Sequence, residues 1–239
     1  MKLCVCSLPS PAENLACDEA LLDLCEAGGG DPVLRIWESH QYFIALGYAN
    51  SASTEVNLQS CEQENIPILR RCTGGGTVLQ GPGVLNYSIV LQIPEAGQLS
   101  TIKGANDFVL GRNREALAGE IPDSISIRGQ SDLTVRGLKF SGNAQRRKKH
   151  FLLYHGSILL NLNFALLEKV LPMPSREPDY RQSRSHSAFL VNLHIQQNAV
   201  QTALARAWSA DSPLPSLPTQ DIQKLVNEKY SRAEWNLKF

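Results

Sequence analysis

The chain has little net charge, few cysteines and no long apolar run. Among its 239 residues Lys+Arg and Asp+Glu are each 23, so no whole-molecule field attracts nucleic acid or an anionic membrane. Any anion site must be local. The six cysteines, Cys4, Cys6, Cys17, Cys25, Cys61 and Cys72, form no CxxC pair, which argues against a disulfide framework or a zinc ribbon and fits reduced thiols. His40, His150, His186 and His194 lack HxxxH or HExxH spacing, so no protein-built transition-metal centre is expected. Phe151 to Leu171, the most apolar stretch, is broken by His155, Asn161, Asn163, Glu168 and Lys169, short of the ~20 clean residues of a membrane span. Pro9 and Pro11 interrupt the first apolar residues before the ~7–15 that a signal peptide needs. A cytoplasmic protein follows as the expectation.

What is present suits an ordinary core: hydrophobic residues are 43% and charged residues 19%. One catalytic domain over residues 1–193 and a short helical extension over 194–239 are expected. Leu15, Leu22 and Cys25 follow a helical period from Pro11 to Ala27, ending at Gly28-Gly29-Gly30. Val33 to Trp37 and Tyr42 to Gly47 read as a strand pair, and Val56 to Glu64 as a helix. Further strands are expected at Pro67 to Arg71, Val84 to Ile93, Ile125 to Ile127, Asp132 to Val135, Leu138 to Phe140 and Leu152 to Leu160. Helices are expected at Thr101 to Ala118, Ala199 to Trp208 and Thr219 to Tyr230, with Arg136-Gly137 as a two-residue hairpin turn.

Four segments could carry chemistry. Arg70-Arg71-Cys72-Thr73-Gly74-Gly75-Gly76-Thr77 sets paired cations before three glycines that let backbone approach a ligand, although no GK[ST] makes it a P-loop. Ser131-Asp132 and Lys139-Phe140-Ser141-Gly142-Asn143-Ala144 lie on two strands of one hairpin, which brings Asp132 near Lys139. An ammonium in that apolar run needs a carboxylate or a bound anion beside it. Arg146-Arg147-Lys148-Lys149-His150 reads as an exposed hairpin tip rather than a nucleic-acid patch, because no aromatics alternate with the charges. His155 in Tyr154-His155-Gly156-Ser157 reads as a hydrogen-bonded strand histidine.

In order and spacing these segments resemble the lipoate–protein ligase A family, over about Leu15 to Leu193. The resemblance implies an α/β (α+β) fold of the biotin/lipoate ligase type, a mixed sheet with packed helices. It implies activation of lipoate by ATP, with magnesium, to an acyl adenylate, and transfer to a lysine of a lipoyl carrier domain. That carrier would be a 2-oxoacid dehydrogenase acyltransferase subunit or the glycine cleavage H protein. By position, Lys139 would meet the carboxylate and α-phosphate, and Arg70, Arg71 and Gly74, Gly75, Gly76 and Thr77 would border the acyl group. Ser131 and Asp132 would face nucleotide or metal, and Ser141, Gly142, Ala144, His155, Gly156 and Ser157 the adenylate.

Two departures matter. Gln80 stands where many such ligases have histidine, and only a few dozen residues follow the catalytic part, so a separate accessory subunit, or none, is expected. A monomer that binds neither nucleic acid nor membrane is the expectation. The alternatives are an octanoyl or lipoyl acyltransferase, which needs a cysteine nucleophile, and a non-catalytic acyl- or carrier-binding module. No cysteine stands in Asp123 to Ile127 or in Leu171 to Pro174, where that nucleophile would be expected.

Overall fold

The computed structural model describes Met1–Phe239 throughout. In chain order the strands are β1 (Lys2–Val5), β2 (Val33–Glu38), β3 (Phe43–Leu46), β4 (Ile68–Arg70), β5 (Val78–Gln80), β6 (Val84–Gln92), β7 (Ile125–Arg128), β8 (Asp132–Val135), β9 (Leu138–Arg147), β10 (Phe151–Leu159) and β11 (Ser212–Pro213). The helices are α1 (Pro11–Glu26), α2 (Ala52–Glu55), α3 (Leu58–Gln63), α4 (Ile102–Leu117), α5 (Phe164–Val170), α6 (His186–Phe189), α7 (Gln197–Ala207), α8 (Thr219–Leu225) and α9 (Ala233–Asn236). An eight-stranded mixed sheet runs β11-β1-β2-β6-β10-β9-β8-β7, and a three-stranded sheet runs β4-β3-β5.

Local chemistry sets the first helix. Ser10 caps α1 by accepting from the Glu13 N–H, and the Glu13 carboxylate accepts from the Ser10 N–H, a reciprocal capping box with Pro11 in the first turn. The helix stops before Gly28, whose φ of +79° is cheap only for glycine. Nearly every face of α1 is covered, and Asn14, Asp18 and Glu19 are buried with its apolar residues.

The large sheet has an apolar core on one face, where Leu34, Ile36, Tyr87, Ile89, Leu152 and Tyr154 meet α4 and α7. Its other face meets α1 and α8 through Leu15, Leu21, Leu22, Val33, Val90, Leu153 and Ile222. Each aliphatic side chain fully buried in this way contributes about 1.5–3 kcal/mol relative to exposure.

Two sequence expectations change. β2 and β3 do not pair: β2 lies between β1 and β6, and β3 centres the small sheet. Both are buried along nearly their whole length, so each needs cover on two faces, which a lone hairpin cannot provide. The strand read at Leu138 to Phe140 continues to Arg147, its apolar pattern lost because Ser141, Asn143 and Gln145 fill one face with hydrogen-bonding groups while Gly142 and Ala144 keep the other free of bulk. The hairpin turn does fall at Arg136 and Gly137, with φ of +50° and +74°.

Residues 194–239 are woven into the body rather than appended to it. Val200, Leu204 and Trp208 belong to the core beneath the large sheet, β11 extends that sheet beside β1, and Ile222 packs with α1 residues. Trp208 Nε1 donates to buried Asn113 Oδ1 at 2.7 Å.

Candidate active site

The polar face of the large sheet is organised in rows. Arg35, Ser88, His155 and Ala144 are register partners across β2, β6, β10 and β9. One step along, Trp37, Asn86, Ser157, Gly142 and Asp132 are partners from β2 to β8. Side chains alternate between sheet faces, so these rows share the face covered by α1.

Lys139 lies on this face beside a bulge. Leu133 pairs with Ser141 but Thr134 pairs with Lys139, so β9 has one extra residue, Phe140. Lys139 pairs with Thr134 and so lies on the face of Asp132; without the extra residue Ser141 would share that face, and with it Gly142 does. The ammonium lies 2.8 Å from Asp132 Oδ1, with the two side chains 25% and 11% exposed. Asp132 Oδ2 accepts from the Tyr180 hydroxyl at 2.7 Å. A Cβ on Gly142 would come 2.8 Å from Lys139 Nζ, so glycine there makes room for the ammonium. Burial foremost, then the negative charge of Asp132, pushes the Tyr180 phenol well above its ordinary range, keeping it a donor.

A second network ties α1 to the sheet and to the glycine loop. Asn14 and Asp18, one helical turn apart, both receive Arg35: Nη1 donates to Asp18 Oδ1 at 2.7 Å and Nη2 to Asn14 Oδ1 at 2.6 Å. Ser88 Oγ donates to Asp18 Oδ2 at 2.5 Å, and His155 Nδ1 lies 3.4 Å from the same oxygen. His155 Nε2 shares a 2.7 Å hydrogen bond with Thr73 Oγ1. Burial works to raise the Asp18 carboxyl, but the Arg35 charge, His155 and Ser88 together hold it below its ordinary value.

Thr73 begins the triple-glycine loop, which approaches the sheet closely. Gly75 has φ +90°, and a Cβ there would meet Arg71 Nη2 at 2.9 Å and Ala144 Cβ at 3.6 Å. The two arginines before the loop serve the backbone. Arg71 donates to the Gly74, Gly76 and Ala45 carbonyls, and burial lowers its guanidinium to about 10. Arg70 donates to the carbonyls of Gly47, Tyr48, Asn50, Trp235 and Asn236. Arg70, expected from the sequence to border the acyl chain, is a buried guanidinium without a carboxylate that satisfies its donors on main chain behind the loop.

The remaining sequence candidates divide between the two faces. Gln80 Nε2 donates to Ser157 Oγ at 2.6 Å, which donates to Asn86 Oδ1 at 2.9 Å, on the same face as Lys139. Thr77 Oγ1 accepts from Asn50 Nδ2 at 2.9 Å. Ser131, Ser141 and Gly156 instead surround Asn143 on the opposite face. Asn143 Nδ2 donates to Ser131 O at 2.7 Å and to Ser141 Oγ at 3.3 Å, and the Tyr87 hydroxyl donates to Asn143 Oδ1. A Cβ on Gly156 would overlap that oxygen, so its glycine serves this backing network.

The basic run at the β9–β10 turn is fastened at Arg146 and Lys148, while Lys149 and His150 are exposed. Lys148 lies 2.6 Å from Asp23, the Arg147 guanidinium donates to Leu99 O, and Glu26 accepts the N–H groups of Lys149, His150 and Phe151. Sequence reasoning missed Asn14, Asp18, Arg35 and Tyr180, and named Thr73 and Asn143 only as members of longer motifs. The one available signal was Asn14 and Asp18, polar residues one turn apart that follow the same helical spacing as the apolar Leu15 and Leu22 of α1.

Lys139 and the glycine loop flank one polar face of a mixed sheet with packed helices, an α/β arrangement in which an anion could be received. Residues 10–205 match the lipoyl protein ligase A/B catalytic domain, and the chain belongs to that family. It is 31% identical to the octanoyltransferase LipM of Carboxydothermus hydrogenoformans, over 96% of each chain. It is 28% identical to lipoate–protein ligase A subunit 1 of Thermoplasma acidophilum, over 94% of this chain and 91% of that protein. Among solved structures, the bipartite lipoate protein ligase studied with its E2 lipoyl domain from Thermoplasma acidophilum shares the fold with TM-score 0.83 at 23% identity, covering 99% of this chain and 95% of that one. A lipoate–protein ligase A bound with ATP shares it with TM-score 0.79 at 24% identity, covering 99% and 98%.

Proposed function

We propose that this chain is an ATP-dependent lipoate–protein ligase. A lipoate carboxylate oxygen attacks the α-phosphorus of ATP and pyrophosphate leaves. The amine of one lysine on a lipoyl carrier domain then attacks the acyl carbon, AMP leaves and the amine proton passes to solvent. Lys139 is the catalytic residue: its ammonium lies where two anions must approach each other and reduces their repulsion as charge develops. Asp132 and Tyr180 hold the ammonium in place, and the Gly74 to Gly76 strip lets the acyl group lie close to backbone.

One observation carries the reading: the partner of Lys139 is a carboxylate, at 2.8 Å, and the thiols lie elsewhere. Cys4 is in β1 with Cys6 just beyond it, Cys17 and Cys25 are in α1, and Cys61 is in α3. Burial pushes the Cys72 thiol up to about 12, and the charges acting on it are Glu19, Arg146 and Lys229. The ATP-bound neighbour of like fold supports nucleotide binding, and the ligase subunit 1 relative supports a separate accessory subunit as partner.

Magnesium would come with the nucleotide. Both Asp132 oxygens are engaged, by Lys139 and Tyr180, and no three His, Cys, Asp or Glu side chains gather to hold an ion. The side chains here do not build a metal cage, and no step above runs through the ion.

The likeness to LipM favours a second reading, octanoyl transfer through an acyl-thiol. Purified chain with free lipoate, ATP, magnesium and an unmodified lipoyl domain should give lipoate-dependent ATP–pyrophosphate exchange and a lipoyl-sized gain in intact carrier mass. Acyl transfer from an octanoyl carrier without ATP, stopped by Cys72→Ser, would replace ligation with the second reading.

A further inference from the structure

Trp235 and Asn236 grip the main chain of Arg70 from both sides. Trp235 Nε1 donates to Arg70 O at 2.8 Å, and Asn236 Oδ1 accepts from Arg70 N at 2.9 Å. The Arg70 guanidinium returns the contact, with Nε donating to Trp235 O at 3.1 Å and Nη2 to Asn236 O at 3.0 Å. Its Nη1 reaches the segment beneath the glycine loop, donating to Gly47 O and Tyr48 O at 3.0 Å and to Asn50 O at 2.6 Å.

That segment supports the loop at three points. Tyr48 N donates to Thr73 O at 2.9 Å, and Asn50 Nδ2 donates to Thr77 Oγ1 at 2.9 Å. Gly47 lies so close under Gly75 that a Cβ would overlap the Gly75 carbonyl. The far flank is held from the same part of the chain: Lys229 and Tyr230 bind Glu19, which lies 3.7 Å from Arg146, and Arg146 donates to Cys72 O at 3.1 Å. A loop with three glycines has large conformational freedom of its own, so its shape must come from what is fastened to its ends.

We infer that Trp235 and Asn236 are positioning residues for the acyl site, setting the triple-glycine loop through Arg70 without touching substrate. The inference rests on reading that loop as the acyl site, and its first measurement needs no substrate at all. Trp235→Phe keeps an aromatic ring but removes the indole N–H, together with the pyrrole ring's share of the packing on Tyr48 and Tyr230. Amide hydrogen exchange of residues 71–77 in the free protein should speed up about fivefold, the factor one net hydrogen bond carries. The KM for lipoate in ATP–pyrophosphate exchange should rise by a similar factor, with the KM for ATP unchanged. Asn236→Ala should do the same more strongly. Ile222→Ala, which opens the α8 packing on α1, serves as the control for general loosening and should leave the loop's exchange relative to β6 unchanged.

Unchanged loop exchange in folded Trp235→Phe, or exchange that rises equally in β2 and β6, would overturn the inference. If the wild-type chain shows no lipoate-dependent exchange, the ligase reading fails, while faster loop exchange in Trp235→Phe still supports the clamp.

Discussion

Lys139 Nζ lies 2.8 Å from Asp132 Oδ1 because the Arg136-Gly137 turn pairs Lys139 with Thr134, two residues from Asp132 on the same face of β8. The extra residue Phe140 then brings Gly142 rather than Ser141 opposite Asp132, so the ammonium shares its face with Gly142, Ala144, Ser157 and His155. Lys139→Ala should lower lipoate-dependent ATP–pyrophosphate exchange by roughly 10²–10³-fold, the usual loss when one preorganised electrostatic group is removed. Folding should survive, because Asp132 keeps the Tyr180 hydroxyl and the lysine side chain is already 25% exposed. Circular dichroism and exchange kinetics on the same preparation check both halves; near-normal exchange would place the catalytic cation elsewhere.

Gly75→Val tests the close approach of the loop to the sheet. At φ +90° a β-branched residue is strained, and its Cβ would lie 2.9 Å from Arg71 Nη2 and 3.6 Å from Ala144 Cβ. Such backbone strain costs about 1–3 kcal/mol. Lipoate binding followed by calorimetry should weaken at least about tenfold, the factor that about 1.4 kcal/mol carries. Wild-type affinity in the variant would show that the acyl group lies away from the strip.

Part of this site is legible in the sequence. The Arg136-Gly137 turn predicts that Asp132 and Lys139 meet, because a hairpin fixes which residues face each other. The bulge at Phe140 was not legible, since alternation of apolar residues cannot reveal one extra residue in a polar strand. Arg35 and Asp18 escaped for another reason. They stand in separate elements, and only the docking of α1 on β2 makes a buried charge pair of them. The partners of Arg70 were not legible, because a cation before a glycine loop suggests a ligand, whereas its donors go to carbonyls of residues 20 or more positions distant, Trp235 and Asn236 among them. The β2–β3 pairing failed likewise: a short polar link suggests a hairpin, but two strands buried on both faces are better covered in separate sheets.

The cysteines should differ sharply in reactivity. Cys4 Sγ lies 3.0 Å from Cys6 Sγ, and the hydrogen bond from Cys4, helped by the charge of Arg35, lowers the Cys6 thiol to about 6. Burial pushes Cys72 and Cys17 up to about 12, and Cys25 and Cys61 to about 11. The thiolate is the reacting form, so iodoacetamide at neutral pH should label Cys6 first and leave Cys72 unlabelled until the chain is denatured. Peptide mapping by mass spectrometry decides it. Labelling of Cys72 as fast as Cys6 would show that Cys72 is open and nucleophilic, and would favour the acyl-thiol reading.

Asp18→Asn should expose how far the buried charge pair supports the site. Arg35 is fully buried and Asp18 nearly so, and their ion pair spans 2.7 Å. Breaking a buried pair from one side costs about 3–5 kcal/mol, because the surviving charge stays out of water. At roughly 2–4 °C per kcal/mol for a chain of this size, the melting temperature should fall by about 10 °C near neutral pH. The pH dependence has a definite sign. The folded carboxyl titrates below its ordinary value of 3.8, so the unfolded chain takes up the proton first as acid is added. Its stabilisation is therefore complete well above pH 3.8 and is lost as pH falls through the lower, folded value. The gap in melting temperature between wild type and Asp18→Asn should be wide from pH 5 to 8 and should narrow below about pH 4, which calorimetry across that range would record. A gap that stays constant into acid would mean that Asp18 supports α1, His155 and the Thr73 end of the glycine loop by shape and hydrogen bonding, and that its charge contributes nothing.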